Sequence, residues 1–208
     1  MAASSARSAA VRLAAASSVV ALTAVSARRD HVGPAEERVF RMVNELPDSL
    51  SRPVWLVMQL GTVGAAPVAA AATWARGDRR LAGRLLVVGT STWALSKVFK
   101  RWIARGRPAA LLAATHVRGS RPAGLGYLSG HAGVVAALGA AILPRLQRRG
   151  RALVGLVVPA VGLARVYVGA HLPLDVVGGA ALGLGVEAAS RIWQEGPSRP
   201  LQRLYSEY

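Results

Sequence analysis

Three short clusters hold most of the residues in this sequence that can do chemistry. Lys100 is followed by Arg107-Pro108, then come Ser129-Gly130-His131, then Arg165, His171 and Asp175. Together they supply three cations, two imidazoles, one carboxylate and one hydroxyl, the inventory of an oxyanion site. Arg107 and Arg165 carry the planar fork that meets phosphate oxygens in bidentate fashion, and Lys100 adds a point charge. Ser129 stands where a helix N-cap would. Its hydroxyl and the N–H groups of Gly130 and His131 then point at an anion, with the helix dipole behind them. Gly130 lets that anion come close to the backbone.

His171 and Asp175 are four apart with Pro173 between them, the spacing of a helix whose first turn begins near Pro173. One turn brings the Asp175 carboxylate back toward the His171 ring. That fixes the tautomer and leaves the other ring nitrogen as a nucleophile. His131, from another helix, is free to be the general acid for a leaving alkoxide. Two His and one Asp can also hold a metal. The three surrounding cations oppose a divalent ion and take over its role of neutralising phosphate charge, so neither a metal nor another cofactor is expected.

The elements that must position these groups follow from composition. The chain has 208 residues and is 52% hydrophobic, yet 26 Lys+Arg against 10 Asp+Glu give a net charge of +16. A mean hydropathy of +0.34 is compatible with that charge only if the charges gather at the ends of apolar runs, and they do. The length fits one domain. Apolar content excludes intrinsic disorder, and the lack of Cys excludes a disulfide scaffold and thiolate metal sites. Low aromatic content with abundant Ala, Val, Leu and Gly suits helices packed closely in lipid. The expected fold class is all-α, a polytopic membrane bundle of about six transmembrane helices.

Five spans are read at 54–75, 81–97, 131–146, 152–168 and 176–193, near the ~20 residues that cross a bilayer. A sixth, 8–27, is Ala/Ser-rich and interrupted by Arg12. It is read as a retained helix in preference to a cleaved signal peptide, because Arg28-Arg29 follows it as a membrane stop. Residues 36–50 mix Val39, Phe40, Met42, Val43 and Leu46 with charges and read as an amphipathic helix in the interface. The domain organisation expected is an N-terminal helix and interfacial segment over 1–53, a transmembrane catalytic domain over 54–193, and a cytoplasmic tail over 194–208.

Alternating spans bring the three clusters to one face of the bundle. The short loops 76–84 and 145–151 hold eight Arg and one acid, which favours cytoplasmic termini in the plasma membrane and an extracytoplasmic site. The basic segment 97–121 then lies outside, against the charge rule, where it would attract anionic lipid heads. No basic helix or aromatic-interleaved patch supports nucleic-acid binding. Lone Arg residues at span ends are usually snorkelling anchors, so Arg101, Arg105, Arg118 and Arg121 read as lipid-facing or loop charges. His31 and His116 have no partner spacing and read as loop residues.

Lys100-x6-Arg107-Pro108, Ser129-Gly130-His131 and Arg165-x5-His171-x3-Asp175 together resemble the three-part motif of the type 2 phosphatidic acid phosphatase (PAP2) superfamily, whose helical core is shared with vanadium haloperoxidases. The motifs run from Lys100 to Asp175, and the matching helices extend the resemblance over about 54–193. It implies a metal-independent phosphatase working through a phosphohistidine. By motif position, His171 is the nucleophile, Asp175 its orienting partner and His131 the acid and later the base. Lys100, Arg107, Ser129, Gly130 and Arg165 form the phosphate cradle. Two positions depart from the usual pattern. Leu128 stands where Pro commonly precedes Ser-Gly-His, and Ala164 where Ser commonly precedes the Arg. Neither removes a group that transfers a proton or binds phosphate.

The function expected is hydrolysis of a lipid phosphate of the phosphatidic acid kind, with membrane lipids as the surroundings. The rivals are a polyprenyl diphosphate phosphatase of carrier-lipid recycling, a lipid phosphotransferase, and a non-catalytic lipid-binding protein. A site used only for binding would not need the His171 and Asp175 pair.

Overall fold

A computed structural model describes residues 2–28, 30–120 and 123–195, which are helical and contain no strand. Arg29 of the expected membrane stop, the loop charge Arg121 and the expected tail from 196 onward lie outside the described residues. The helices are α1 (Ala2–Ala27), α2 (Pro34–Asn44), α3 (Ser51–Gln59), α4 (Ala65–Ala75), α5 (Arg79–Ile103), α6 (Pro108–Leu111), α7 (Gly130–Ile142), α8 (Arg148–Tyr167) and α9 (Pro173–Glu195).

The expected continuous span over 54–75 is instead a broken rod. α3 stops at Gln59 and α4 starts at Ala65, with a turn between them. Gly61 presses on the backbone of α7, where an added Cβ would come within 2.6 Å of the His131 carbonyl oxygen. Irregular backbone at membrane depth needs internal partners. Here the Thr62 hydroxyl donates to the Gln59 carbonyl at 2.9 Å, and the Ala65 N–H donates to the Thr62 carbonyl at 3.0 Å. Counted as one rod, α3 and α4 join α1, α5, α7, α8 and α9 to make six. Ala6–Ala27 and Arg148–Tyr167 are long and apolar enough to cross a membrane by themselves.

The amphipathic segment is shorter than expected. α2 ends at Asn44, and Pro47 introduces a 3₁₀ turn over Asp48–Leu50. Pro34 at the first turn and Glu36 and Glu37 beside it suit the positive end of a helix dipole. Its inner face is Glu36, Phe40 and Asn44, spaced one turn apart. Phe40 is buried against Val166 and Leu172, so α2 packs on the protein.

α7 is the central element. Ala132 to Leu138 are buried on every side of the helix, which fits a core surrounded by protein. α9 approaches it closely because both present glycine: a Cβ at Gly179 would collide with the Ser129 carbonyl, and one at Gly183 with the Gly133 carbonyl. Small residues permit this kind of contact between membrane helices. The outer surface is apolar, with Leu22, Leu56, Leu86, Leu153 and Leu156 exposed and all five Trp exposed as well. Arg28 stacks over Trp102 and Arg79 over Trp74, at opposite ends of the bundle, as interfacial anchors do.

Candidate active site

Four helix ends converge at one end of the bundle. α5 delivers Lys100 in its last turn and stops at Ala104, which takes a left-handed conformation (φ 56°). The chain then runs through Arg105 and Arg107 into α6. Ser129 caps α7, its Oγ accepting the Ala132 N–H at 3.4 Å, and it is fully buried. α8 ends just beyond Arg165, and the turn after it bends back so that the Ala170 and His171 N–H groups both donate to the Arg165 carbonyl. α9 begins at Pro173, which sets Asp175 in its first turn.

Direct bonds tie these ends together. The Ser129 N–H donates to the Asp175 carbonyl at 2.8 Å, joining the start of α7 to the start of α9. Lys100 Nζ donates to the Gly126 carbonyl at 2.8 Å and the Leu125 carbonyl at 3.2 Å. Arg107 donates through Nη1 to Ala170 at 2.7 Å, and through Nε and Nη2 to Ala123 at 3.2 and 2.9 Å. Arg165 Nη1 lies 2.7 Å from the Met58 sulfur, which brings α3 over the site. Gly130 leads α7, where an added Cβ would lie 3.0 Å from the Ser96 hydroxyl.

His171 sits in the loop before α9, 3% exposed, and its Nδ1 stands 3.6 Å from Asp175 Oδ2. That distance is longer than the hydrogen bond pictured from helical spacing. His171 precedes the helix, and Oδ2 accepts the Leu172 N–H at 2.9 Å, as a first-turn carboxylate does when it caps its own helix. Burial, followed by the fields of Lys100, Arg165, Arg107 and His131, holds the His171 imidazole well below the ordinary histidine pKa. The ring is therefore neutral, as a nitrogen nucleophile requires. The two candidate imidazoles, the carboxylate and the three cations are thus brought to one locus. Beside it a cleft of about 240 Å³ is lined by Ser51, Trp55, Met58, Arg118, Arg165 and Ala170. Among the described residues, no three His, Asp or Glu side chains converge as a metal-ligand set.

Two arginines depart from the lipid-facing or loop reading. Arg105 is 1% exposed and donates through Nη1 to Asp175 Oδ1 at 3.0 Å and through Nη2 to Glu36 Oε2 at 2.7 Å. Arg118 donates to the carbonyls of Asn44, Leu46 and Tyr167 and to Asp48, and its guanidinium covers the Tyr167 ring. Each found acceptors far away in the chain, which one-dimensional spacing does not display. Arg101 stays exposed on α5, and His31 and His116 lie in exposed loops.

The chain belongs to the PAP2 superfamily, whose sequence profile matches residues 81–198. It is an enzyme of the phosphatase class set in a membrane. It is 29% identical over 140 residues to the undecaprenyl-diphosphatase of Sulfolobus acidocaldarius, a match covering 66% of this chain and 68% of that protein. Its fold is similar to the crystal structure of a transmembrane PAP2-type phosphatidylglycerolphosphate phosphatase from Bacillus subtilis. The TM-score is 0.70 at 20% identity, over 91% of this chain and 98% of that one. The Aquifex aeolicus LpxE structure matches with a TM-score of 0.66 at 20% identity, over 74% and 93% of the two chains.

Proposed function

We propose that this protein hydrolyses the phosphate of a lipid phosphate of the phosphatidic acid kind through a phosphohistidine on His171. The observation that carries the reading is the buried His171 ring facing Asp175 at 3.6 Å, at the helix ends that also bring in Lys100, Arg107 and Arg165. Nε2 attacks phosphorus, an N–P bond forms, and the P–O bond to the lipid alcohol breaks. His131 gives its proton to the leaving alkoxide. As base, His131 then takes a proton from water. The water oxygen attacks phosphorus, the N–P bond breaks, and inorganic phosphate leaves. The cradle of Lys100, Arg107 and Arg165, with Ser129 and Gly130 at the positive end of α7, neutralises charge that builds on the phosphoryl oxygens.

The site faces the extracytoplasmic side in this reading, with the described ends of the chain toward the cytoplasm. Its support is the position of the basic turns at the far end of the bundle, where Arg145 pairs with Asp78 at 3.0 Å. A second reading, hydrolysis of a polyprenyl diphosphate, is favoured by the Sulfolobus relative. Both use the same histidine chemistry and differ in the tail and in the group cleaved.

Phosphate release by detergent-purified protein decides between them. The assay uses excess chelator with phosphatidic acid, phosphatidylglycerol phosphate and an isoprenyl diphosphate, beside a His171→Ala control. Release that survives chelator and vanishes in the variant is expected. Release that persists in His171→Ala would overturn the mechanism, and preference for the isoprenyl diphosphate would replace the first substrate by the second.

A further inference from the structure

Asp175 has two oxygens, and the structure divides them. Oδ2 accepts the Leu172 N–H and faces His171, while Oδ1 accepts Arg105 Nη1 at 3.0 Å. The Arg105 side chain has no exposed surface, and neither has that of Asp175. A buried carboxylate keeps its charge and its aim only when a partner compensates the lost water. Arg105 is that partner, and it is fixed from behind. Its two Nη atoms grip Glu36 at 3.1 and 2.7 Å, and the Glu36 carboxylate also accepts the Leu174 N–H at 3.0 Å. The backbone of Arg105 is engaged as well, its carbonyl accepting the Gly126 N–H at 2.8 Å on the strip that supplies carbonyls to Lys100.

We infer that Arg105 is a positioning residue for catalysis, clamped by Glu36 of α2, which sets the plane and charge of the Asp175 carboxylate and through it the His171 ring. This rests on the phosphohistidine reading above. Glu36 reaches Arg105 because it shares one face of α2 with Phe40 and Asn44. Phe40 is buried against Val166 and Leu172, and Asn44 Nδ2 donates to the Tyr167 and His116 carbonyls. α2 thus supports the site through Glu36 at one end and Asn44 at the other.

The test compares Arg105→Gln, Arg105→Lys and Glu36→Gln with wild type and His171→Ala, in detergent, on whichever lipid phosphate is turned over best. Because Arg105 touches Asp175 and not the phosphate cradle, kcat should fall about 100-fold in Arg105→Gln with KM changed less than about threefold. Arg105→Lys keeps one charged contact to Asp175 and should recover at least about tenfold of that loss, although it lacks the fork. Glu36→Gln should lower kcat less than Arg105→Gln, again at constant KM. Wild-type kcat in a folded Arg105→Gln protein, or a loss shared equally by KM, overturns the inference. If Arg105→Gln does not fold, Glu36→Gln decides: reduced kcat at constant KM supports the clamp, and wild-type kcat removes it. Activity retained by His171→Ala would instead defeat the underlying mechanism.

Discussion

The Thr23 hydroxyl lies 2.9 Å from the Tyr127 hydroxyl, which also donates to the Val20 carbonyl at 3.0 Å, and so α1 is bonded to the chain two residues before Ser129. Both partners are buried, and Val20, Ala24, Leu128 and Leu182 pack around them. Tyr127→Phe leaves the Thr23 hydroxyl without this partner and should lower stability by about 1 kcal/mol, the usual net worth of such a bond. Thermal unfolding in detergent measures it. An unchanged midpoint would mean that the bond from Tyr127 adds nothing to the hold on α1.

Glu187 is buried on α9 among Arg12 of α1 at 3.4 Å, Arg191 at 2.5 Å, and Arg84 of α5. Removing the carboxylate leaves the mostly buried Arg84 and Arg191 and the half-exposed Arg12 facing one another. Glu187→Leu should therefore destabilise by about 3 kcal/mol. Its kcat per folded molecule should stay near wild type, because the cluster is at the far end from His171. A kcat loss larger than the loss of folded protein would contradict that separation.

His171 titrates below the ordinary histidine value of about 6.5, because burial and neighbouring cations disfavour the imidazolium. The neutral nucleophile then persists as pH falls through that value. The acid limb of kcat/KM, after division by the ionisation of the lipid phosphate, should have its midpoint below about 6.5. The sign for stability follows from the same shift. Below about 6.5 the unfolded chain takes up a proton that the folded chain refuses, so folding weakens as pH falls toward the lower folded value. A midpoint at or above the ordinary value would show that neither burial nor the cations hold the ring's pKa down.

Asp175→Asn keeps the size of the side chain but not the charge facing Nδ1 of His171. Substrate affinity should hold while kcat drops by about 10³-fold or more, the scale seen when an orienting carboxylate is neutralised. Full activity in this variant would remove Asp175 from the mechanism.

Gly183→Ala tests the contact that carries Asp175 to Ser129. Its Cβ would strike the Gly133 carbonyl, which belongs to rigid helix backbone. A loss of at least about 1 kcal/mol is expected from such overpacking, read by thermal unfolding, and an unaltered protein would show that α9 can shift to accommodate it.

The helical class, and the gathering of the three clusters at one end of the bundle, were legible because their signals are local. Ser129, His131, His171 and Asp175 declare themselves by spacing, and apolar runs between charge clusters declare spans. What stayed hidden depends on long-range partners. Arg105 has the same composition signal as Arg101, a cation in a basic stretch, yet one is buried between two carboxylates and the other is exposed. A signal did exist in Glu36, Phe40 and Asn44, since a carboxylate and an amide one turn either side of Phe on the inward face require buried partners. The break between α3 and α4 was written in Gly61 and Gly64, which hydropathy averages away.

Asp175 and Glu187 hang on the same helix, twelve residues apart, or about 18 Å along the axis at 1.5 Å per residue. Between them α9 offers only Gly, Ala, Val and Leu, and what fixes it against α7 along that stretch is close backbone contact at Gly179 and Gly183. An ionic fastening at each end adds to that hold. A screw motion of one helical turn would strip Asp175 from Arg105 and Glu187 from its arginines in the same movement. The axial register of α9 is therefore marked by an ion pair at each end and by the glycine contacts between them, rather than by its apolar length.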